Sequence, residues 1–436
     1  MKYPHLTLLA GCLLIQPCFA QQSSVLPPDQ IVTQTLDHSY QLKVSAQDIS
    51  VYDARHSQAK AQALPTLDAK AQAARYQGLE DSTLGPQTTL DAIENRYSTS
   101  IGVTQPLYTG GRITSQKQGT LFQKSAAEHS LHAAKSDTIL SALTTYWNWS
   151  KAYYSMQSLQ SAVDRTEAHA VDMRNQQAAG MVTDNELLAT EVQLDQTRLF
   201  LEEAQNRVSI TRAQIEFLTG TPLQEDAVPE KAVIPAGSAN TDTNLVVDRP
   251  ETAARTFDVK ASEAQLQSSR SDFYPQLALT ARYEQANPNL MDFPPADEWK
   301  YDAFAGVTLS WNLLDWGLTR ARAAEATARA EQARLRLSQV EEQITLEVQE
   351  AQINLQDAVS RVAVAARAGQ SAERNLQAAT DLWQNGLARH SDVLDAMAQL
   401  TDAQYQLSAT QADVLLARAA LKHATGELSR QYAETH

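Results

Sequence analysis

The sequence predicts a mixed α+β protein in which one unit, a pair of strands followed by a long helical hairpin, occurs twice. Three observations support this prediction: a repeat with a constant offset, four segments that alternate apolar and polar residues, and helices with a seven-residue apolar period. The chain has 436 residues, which is room for two or three ordinary domains.

The repeat is visible as matching residues that lie 206 positions apart. Gly180 corresponds to Gly386, and the Thr-Gly pair at 219–220 corresponds to the one at 425–426. One register is held without a gap across residues 101–220 of the first copy. Chance would give an isolated match, so this pattern indicates an internal duplication.

The duplication divides the chain into two repeats joined by a linker. The linker contains four prolines, a residue type that interrupts helices. The predicted segments are a signal peptide (1–20), the first repeat (21–220) with a strand pair at 66–108, the linker (221–250), the second repeat (251–426) with a strand pair at 276–314, and a C-terminal tail (427–436).

The first twenty residues have the pattern of a secretory signal peptide. Lys2 provides a basic start and Leu6–Ile15 an apolar stretch, and small-residue cleavage after Ala20 leaves Gln21 as the first mature residue. A lipobox-like run ending at Cys12 leaves lipidation of that cysteine as an alternative. The apolar stretch continues past Cys12, which favours cleavage after Ala20 and a mature chain without cysteines or disulfides.

Each repeat is predicted to begin with a helix that stops before a proline. The first helix runs from Asp29 to Ala63, before Pro65, and the second runs from Glu251 to Ser271, before Pro275. Beyond each proline, apolar residues occupy every second position, which is typical of strands with one apolar and one polar face. These residues are Leu67, Ala69, Ala71, Ala73, Tyr97, Ile101, Val103 and Leu107 in the first repeat, and Leu277, Leu279, Ala281, Tyr283, Tyr301, Ala303, Ala305, Val307, Leu309, Trp311 and Leu313 in the second.

The four predicted strands have the length of transmembrane β-strands, about ten residues each. A soluble antiparallel sheet would explain the alternation equally well. Four strands cannot close a barrel and lipid tolerates no open sheet edge, so membrane-spanning strands would require several chains to share one barrel. Three chains would contribute twelve strands. The aromatic residues that fit the interface girdles of such a barrel are Tyr97, Tyr108, Trp299, Tyr301, Trp311 and Trp316.

A long helix and a returning helix follow the strands of each repeat. Residues 113–179 contain no proline and could form a helix of roughly 100 Å. The returning segments carry apolar residues every seven positions, a period typical of left-handed coiled coils. These residues are Leu187, Leu194, Leu201, Val208 and Ile215, and Val393, Leu400, Leu407, Val414 and Leu421. An ordinary antiparallel bundle would explain the heptads, but not the strand pair attached to each hairpin. Tyr146, Trp147 and Trp149, deep in the long helix, are predicted to be packing residues.

Composition and motifs argue against several functional classes. A formal net charge of −15 argues against a nucleic-acid partner, because phosphate binding needs clustered Lys and Arg. No HExxH or GxSxG motif and no Gly-rich phosphate loop is present, so neither an enzyme nor a cofactor is predicted. The histidines lack paired metal-ligand spacing, and His129 and His132, three residues apart, are interpreted as helix surface. After the signal peptide no apolar run reaches the length of about eighteen residues that a transmembrane helix needs.

Four motifs carry a resemblance to a known family. The strand-to-helix motifs are VTQPLYTGGR, with Pro106, Leu107 and Gly111, and LSWNLLDWGLTR, with Leu313, Asp315 and Gly317. The hairpin turns are AAGMVTDNELLATEVQL and NGLARHSDVLDAMAQL. In this order, the motifs resemble the TolC family of outer-membrane efflux proteins over nearly the whole mature chain. Asn312 stands where the first repeat has Pro106, a departure confined to a strand end.

The resemblance implies a trimer that shares a twelve-stranded β-barrel, four strands per chain, on a long α-helical coiled-coil barrel in the periplasm. It further implies an outer-membrane channel, the exit duct of a tripartite efflux or type I secretion system, working with a periplasmic adaptor and an inner-membrane transporter. The cargo is left open, and no cofactor or metal is implied. A periplasmic coiled-coil adaptor or scaffold without a pore is the alternative. Adaptors usually have one hairpin between compact β-domains, whereas this hairpin is duplicated and carries strands.

Members of this family close the periplasmic end of the channel with polar contacts, which points to four residues near Gly386. Asp392 and Asp395 fall on the family's acidic positions and would form carboxylate rings in a trimer. Helix capping explains Asp392 equally well, because it lies at a helix start. Trp383 is either an aromatic gate residue or coiled-coil packing. Ala388 occupies the family's usual arginine position, with Arg389 next to it.

The two hairpin turns are the candidate adaptor contacts. The resemblance assigns this role to Gly180, Met181, Val182 and Thr183, and to Gly386, Leu387, Ala388, Arg389, His390 and Ser391. Exposed Met181 or Leu387 could insert between adaptor helices. A plain glycine-terminated helix turn is the alternative interpretation of both segments.

Overall fold

The computed structural model describes residues 25–83, 85, 89–90, 92–234 and 247–433. The predicted signal peptide, with Cys12, lies outside these residues. So do residues 235–246 of the predicted linker and the last three residues of the predicted tail.

The described residues form helices and strands in nearly the same order in the two predicted repeats. The first part contains β1 (Val25–Leu26), α1 (Pro28–His38), α2 (Tyr40–Ala61), β2 (Thr66–Arg75), β3 (Ser82–Thr83), β4 (Thr89–Leu90), β5 (Asn95–Tyr108), α3 (Arg112–Ala178) and α4 (Asp184–Thr219). The second contains β6 (Val228–Pro229), α5 (Pro250–Arg270) with a 3-10 turn (Ser271–Phe273), β7 (Gln276–Asn287), β8 (Lys300–Ser310), α6 (Leu318–Gln384), α7 (His390–Thr425) and α8 (Glu427–Ala433). Helices α3 and α6 both have 67 residues, α4 and α7 both have 36, and corresponding helices start 206 positions apart.

The predicted helix from Asp29 to Ala63 is wrong in one respect, because it is two helices. Helix α1 ends at His38 and α2 begins at Tyr40. Ser39 between them has non-helical ψ, and its hydroxyl accepts a hydrogen bond from the backbone N–H of Leu42. A serine that caps a helix competes with helix continuation, which is the physical reason for the break.

The four long strands form one antiparallel sheet in the order β2-β5-β7-β8. The strand register aligns apolar residues into rows, for example Ala69, Ile101, Tyr283 and Ala303. The next row is Lys70, Ser100, Glu284 and Asp302. Neighbouring rows point to opposite faces, so the period-two pattern produces one apolar and one polar face, as predicted.

Strand β8 is shorter than predicted from the alternation that reaches Leu313. Its ladder with β7 ends at the pair Gln276 and Ser310. The residue before Gln276 is Pro275, which has no backbone N–H to continue the ladder. Trp311 leaves the ladder and donates a hydrogen bond from its indole N–H to the Phe273 carbonyl.

Contacts within the chain define two compact units. The tip unit comprises the described residues of Met1–His38, Ser141–Ser238 and Ala358–Leu416, and the sheet unit comprises those of Ser39–Leu140, Ala239–Asp357 and Ala417–His436. The turns between α3 and α4 and between α6 and α7 belong to the tip unit, and the four-stranded sheet belongs to the sheet unit.

The tip unit has two matching apolar seams and one aromatic core. Leu194 packs on Val163 and Ala170 in the first hairpin, and Leu400 packs on Ala372 and Ala403 in the second. Leu194 and Leu400 are both predicted heptad residues. Tyr146, Trp147 and Trp149 are buried, which confirms their predicted role in packing, and the rings of Trp147 and Trp149 meet that of Tyr146 edge-on.

The core of the sheet unit contains many small side chains. The buried alanines on its helices α5 and α6 include Ala254, Ala261, Ala264, Ala326, Ala330 and Ala333. Gly119 of α3 lies so close to α5 that an added Cβ would be 3.5 Å from that of Ala264. Small residues allow helix backbones to approach closely, so these helices pack through backbone proximity more than through large side chains. Among the described residues, no helix combines the length and apolarity needed to cross a membrane.

Candidate functional site: the hairpin turns

The two helical turns of the tip unit have the same construction. After α3, Gly180 adopts φ +73°, its N–H donates to the Gln177 carbonyl, and Met181 N–H donates to the Gln176 carbonyl. After α6, Gly386 adopts φ +70°, with equivalent bonds to Trp383 and, from Leu387, to Leu382. This pattern of hydrogen bonds is the Schellman motif, which satisfies the last carbonyls of a helix and favours glycine at the left-handed position.

The residue after each glycine projects into solvent. Met181 is 75% exposed and Leu387 is 76% exposed. Within a single chain, neither side chain is buried against the turn that positions it. The structure therefore places both residues predicted to insert into an adaptor where they are accessible to a partner.

The returning helices start with different caps. Thr183 and Glu186 form a complete capping box: the Thr183 hydroxyl accepts from Glu186 N–H, and the Glu186 carboxylate accepts from Thr183 N–H at 2.8 Å. The hydrogen bonds that the Glu186 carboxylate accepts from the Thr183 N–H and the Thr183 hydroxyl lower the pKa of Glu186. In the second hairpin, the Asp392 carboxylate accepts from Arg389 N–H at 3.0 Å. Arg389 has no side-chain acceptor, so only half of the box is present.

The four predicted gate residues occupy different environments in the single chain. Asp392 participates in helix capping, as the alternative interpretation anticipated, and its side chain is exposed. Arg389 and Asp395 are also exposed. Trp383 is partly buried and its ring packs against two imidazoles. The structure therefore joins Arg389 to Asp392 through the backbone and leaves Asp395 one turn further along α7.

A histidine pair beside the turns was missed by the sequence reasoning. His169 of α3 and His390, the first residue of α7, stack with ring centroids 5.1 Å apart and an angle of 22° between planes. The Trp383 ring lies 5.6 Å from His169 and 5.4 Å from His390. The two histidines are 221 positions apart in the sequence, and no local pattern connects them.

The two hairpins of the tip unit also share polar contacts along α3 and α7. Lys151 forms an ion pair with Asp413 at 2.9 Å. Arg165 donates to the Gln404 side chain at 3.1 Å. Each is a half-buried or exposed contact, so their strength is modest and salt would weaken the ion pair.

The predicted strand-to-helix motifs form the junctions between strands and long helices of the sheet unit. The pairing of β5 with β7 shifts register between Pro106 and Tyr108, so Leu107 forms a bulge. Gly110, which the sequence reasoning did not single out, has φ +62°, and a Cβ there would be 2.6 Å from the Ser271 carbonyl oxygen. Gly111, which was predicted, also has positive φ but has open space around it.

The second junction is built around Asp315. Its carboxylate accepts hydrogen bonds from the Thr319 backbone N–H at 2.7 Å and from Gly317 N–H at 3.0 Å. Together with the Thr319 hydroxyl, these donors lower the pKa of Asp315. Trp316 stands where the first repeat has Gly110 and has positive φ with 91% of its surface exposed, and Leu313 is 76% exposed.

One group of side chains in the sheet unit has the composition of a metal site. Ligand atoms of Asp137, Glu251 and His423 lie within 4.8 Å of one another. However, the buried guanidinium of Arg249 already forms a two-point ion pair with Glu251, at 2.7 and 2.9 Å, and contacts Glu347. Arg249 therefore supplies the positive charge that Glu251 and Glu347 need, while Asp137 is hydrogen-bonded to His423 at 2.8 Å, and the cluster is explained by these contacts within the chain.

Comparison with known proteins identifies the family. The outer membrane efflux protein family matches residues 31–221 and 244–427. The chain is 23% identical to the solvent efflux pump outer membrane protein SrpC of Pseudomonas putida, over 62% of this chain and 58% of SrpC. It is 23% identical to the outer membrane protein OprJ of Pseudomonas aeruginosa, over 84% of this chain and 77% of OprJ. The match to SrpC thus spans less than two thirds of that relative.

Structural comparison agrees with the sequence comparison. The outer membrane protein VceC from Vibrio cholerae matches with a TM-score of 0.79 at 19% identity, over 92% of this chain and 96% of VceC. At this identity the likeness shows a shared fold. The family match covers both repeats and confirms the resemblance seen in the motifs. The chain belongs to the outer membrane efflux protein family and is an outer-membrane protein.

Proposed function

We propose that three copies of the chain form an outer-membrane channel, the exit duct of a tripartite efflux or type I secretion system. One observation carries the proposal: a four-stranded sheet with an apolar face, whose outer strands β2 and β8 each pair on one side only among the described residues. Lipid accepts a sheet only when its edges are closed, and four strands are too few to close. Pairing of β2 with β8 of the next chain gives twelve strands and leaves no edge.

The exposed side chains of the sheet support a membrane location. Apolar residues on the strands are exposed in the single chain, including Ile101, Leu279 and Val307. The row that contains Lys70, Glu284 and Asp302 lies on the opposite face. We assign the apolar face to lipid and the polar face to a water-filled lumen, since membrane barrels alternate in this way.

Exposed apolar residues on α4 support assembly of the helical part. Phe200, Ile210 and Phe217 are 45%, 60% and 81% exposed. A helix face that stays in water does not usually carry several large apolar side chains. A face that the neighbouring subunit covers does. We propose that these residues contribute to the wall between subunits of a helical barrel, and that the two hairpins arose by duplication.

Inter-chain disulfides test the assembly. Cysteine pairs scanned along β2 and β8, such as Ala71→Cys with Ala303→Cys, should crosslink chains into trimers in outer-membrane fractions. Matched pairs on the interior strands, such as Thr99→Cys with Ala281→Cys, should form no inter-chain bond. Crosslinks from interior pairs only, or protein that is soluble without detergent, would reject the shared barrel and favour a scaffold without a pore.

We further propose that Asp392 and Asp395 form carboxylate rings that narrow the periplasmic end of the trimer. Purified trimers in planar bilayers should conduct weakly, and conductance should rise in the double variant Asp392→Asn and Asp395→Asn. Asparagine can still accept the capping bond from Arg389 N–H, so this variant tests the charge and not the cap. Asp402→Asn, one heptad further along α7, is the control. An unchanged conductance in the double variant would remove the gate assignment and leave the channel.

The turns are proposed as the contact with a periplasmic adaptor. Their support is the exposure of Met181 and Leu387 on rigid Schellman turns, which fits insertion of an apolar side chain between helices. Photo-crosslinking residues placed at 181 and 387 should capture an adaptor in cells, and a residue placed at the exposed position of Asp402 should not. Equal capture at all three positions would indicate non-specific contact.

A further inference from the structure

All four helices that meet at the turns contribute a residue to the site of the stacked histidine pair in the tip unit. His169 belongs to α3 and His390 to α7, and Trp383 of α6 contacts both rings. The hydroxyl oxygen of Thr190, in α4, is hydrogen-bonded to Nε2 of His390 at 2.8 Å. His390 is only 5% exposed, so water does not solvate this contact freely.

Counting hydrogen atoms places a proton on Nε2 of His390. The Thr190 hydroxyl donates its one hydrogen to the Glu186 carbonyl at 2.9 Å. It must therefore accept from the Nε2–H of His390, and in the neutral ring Nδ1 then carries a lone pair. Within the described part of the chain, neither Nδ1 of His390 nor Nε2 of His169 has a hydrogen-bond partner, although both atoms are buried.

A second proton on either ring would be poorly accommodated. It would create a buried N–H without an acceptor and a positive charge facing the other imidazole at 5.1 Å. Two carboxylates act on the pair, Asp172 of α3 on His169 and Glu186 of α4 on His390, whereas α6 presents the neutral Trp383. Asp172 is exposed, and the Glu186 carboxylate is already occupied by Thr183. Burial, followed by repulsion from His390, lowers the pKa of His169 to about 4, and burial lowers that of His390 as well.

We propose that the His169–His390 pair is an acid-sensitive latch: the neutral stacked rings hold the first hairpin against the start of α7, and protonation releases them. Neutral rings stack and satisfy the Thr190 contact, whereas protonated rings repel each other and gain solvation only by separating. The latch concerns the packing of the tip unit and does not depend on the proposed channel. If the chain is the proposed duct, release would loosen its periplasmic end.

The direction of the pH dependence follows from the lowered pKa. A released histidine has its ordinary pKa of about 6.5, so the released state binds more protons than the latched state between that value and about 4. The latch is therefore fully stable above about pH 6.5 and weakens as the pH falls below it. For His169 alone, the ratio of released to latched molecules should be roughly 30-fold higher at pH 5 than at pH 7.5.

Hydrogen–deuterium exchange of the full-length protein tests the proposal. After correction for the intrinsic pH dependence of exchange, peptides covering 163–190 and 383–395 should open more at pH 5 than at pH 7.5, by roughly the 30-fold worked out above. The double variant His169→Phe and His390→Gln keeps an aromatic ring and a donor for Thr190 but cannot be protonated, and should lose this response. His132→Gln, an exposed histidine on the same helix α3, should retain it.

Two results would overturn the latch. One is an acid response of equal size in the wild type and the double variant. The other is the absence of any response in the wild type. If the double variant does not fold, the difference in tryptophan emission between the wild type and Trp383→Phe provides a second test, because an imidazolium quenches indole emission more strongly than a neutral imidazole. A difference signal that stays constant from pH 7.5 to pH 4 would also reject the proposal.

Discussion

The hydroxyl of Tyr146 is predicted to be the most important single polar group of the tip unit. It is fully buried, donates to the Leu26 carbonyl at 2.6 Å and accepts from the Glu230 N–H at 2.8 Å. Through these bonds it ties the short parallel pair β1 and β6 to α3. The substitution Tyr146→Phe would retain the ring but remove the hydrogen-bond partner of two partly buried backbone groups.

The expected loss of stability follows from those two groups. Each buried donor or acceptor without a partner costs about 1–3 kcal/mol, and both groups are only partly buried, so Tyr146→Phe should destabilise the β1–β6 pair by about 2 kcal/mol, the lower end for two groups. Tyr154→Phe is a graded control, because the partly buried Tyr154 hydroxyl makes one bond, to the Pro229 carbonyl at 3.0 Å, and should cost about 1 kcal/mol.

Hydrogen–deuterium exchange of the amides in β1 and β6 measures both losses as free energies of opening. The difference between the two variants is the sharper test, since each removes one oxygen atom from a tyrosine in the same helix. A loss below about 1 kcal/mol for Tyr146→Phe, or one no larger than that of Tyr154→Phe, would refute the prediction that the two hydrogen bonds of Tyr146 hold β1 and β6 on α3.

Three further predictions concern backbone geometry, charge and capping. Gly220→Ala should lower stability by more than about 1 kcal/mol in thermal unfolding, because Gly220 has φ +67° and an added Cβ would collide with a histidine ring of α1. Arg249→Gln should destabilise the sheet unit by about 3 kcal/mol at pH 7, because it leaves Glu251 without its cation. The Glu251 pKa is lowered by Arg249 despite burial, so the wild-type ion pair stabilises above the ordinary pKa of about 4.5, and the difference between wild type and variant should shrink as the pH falls below that. Thr183→Ala should cost about 1 kcal/mol of local stability in exchange experiments at the start of α4, whereas Arg389→Thr should stabilise the start of α7 by completing its capping box.

Each of these predictions has an outcome that would contradict it. Gly220→Ala without loss would mean that the turn relaxes at no cost. A difference between Arg249→Gln and wild type that is constant from pH 7 to pH 3 would show that the ion pair with Glu251 is not its source. Destabilisation by Arg389→Thr would show that the arginine side chain itself, and not the backbone, holds the turn.

Periodic features of the fold could be predicted from the sequence because they depend on local repetition. The alternation through Ala69, Ile101 and Tyr283 predicted strands with two unlike faces, and the register aligns these residues in one row. The heptads containing Leu194 and Leu400 predicted the seams on which both residues are buried. Glycines 180 and 386 predicted the ends of the long helices, because a Schellman turn needs a left-handed residue.

Features that depend on contacts between distant segments could not be predicted in the same way. The pairing of β5 with β7, which belong to different repeats, sets the order of the sheet. The need for glycine at position 110 arises from Ser271, which approaches it from the second repeat. Capping by Asp392 was one of two interpretations of this residue, and the hydrogen bond from Arg389 N–H shows the cap.

By itself, the sequence predicted the two faces of the strands, the apolar seams and the turns, because each depends on spacing along the chain, and its motifs indicated the family. Only the tertiary structure decided that His169 and His390, 221 positions apart, stack on each other. It also decided which groups Tyr146 and Arg249 bond to. The physical reason is that burial and hydrogen-bond satisfaction depend on what packs from other segments. Spacing along the chain predicts on which face of a helix or strand a side chain lies, but not which residue it contacts there.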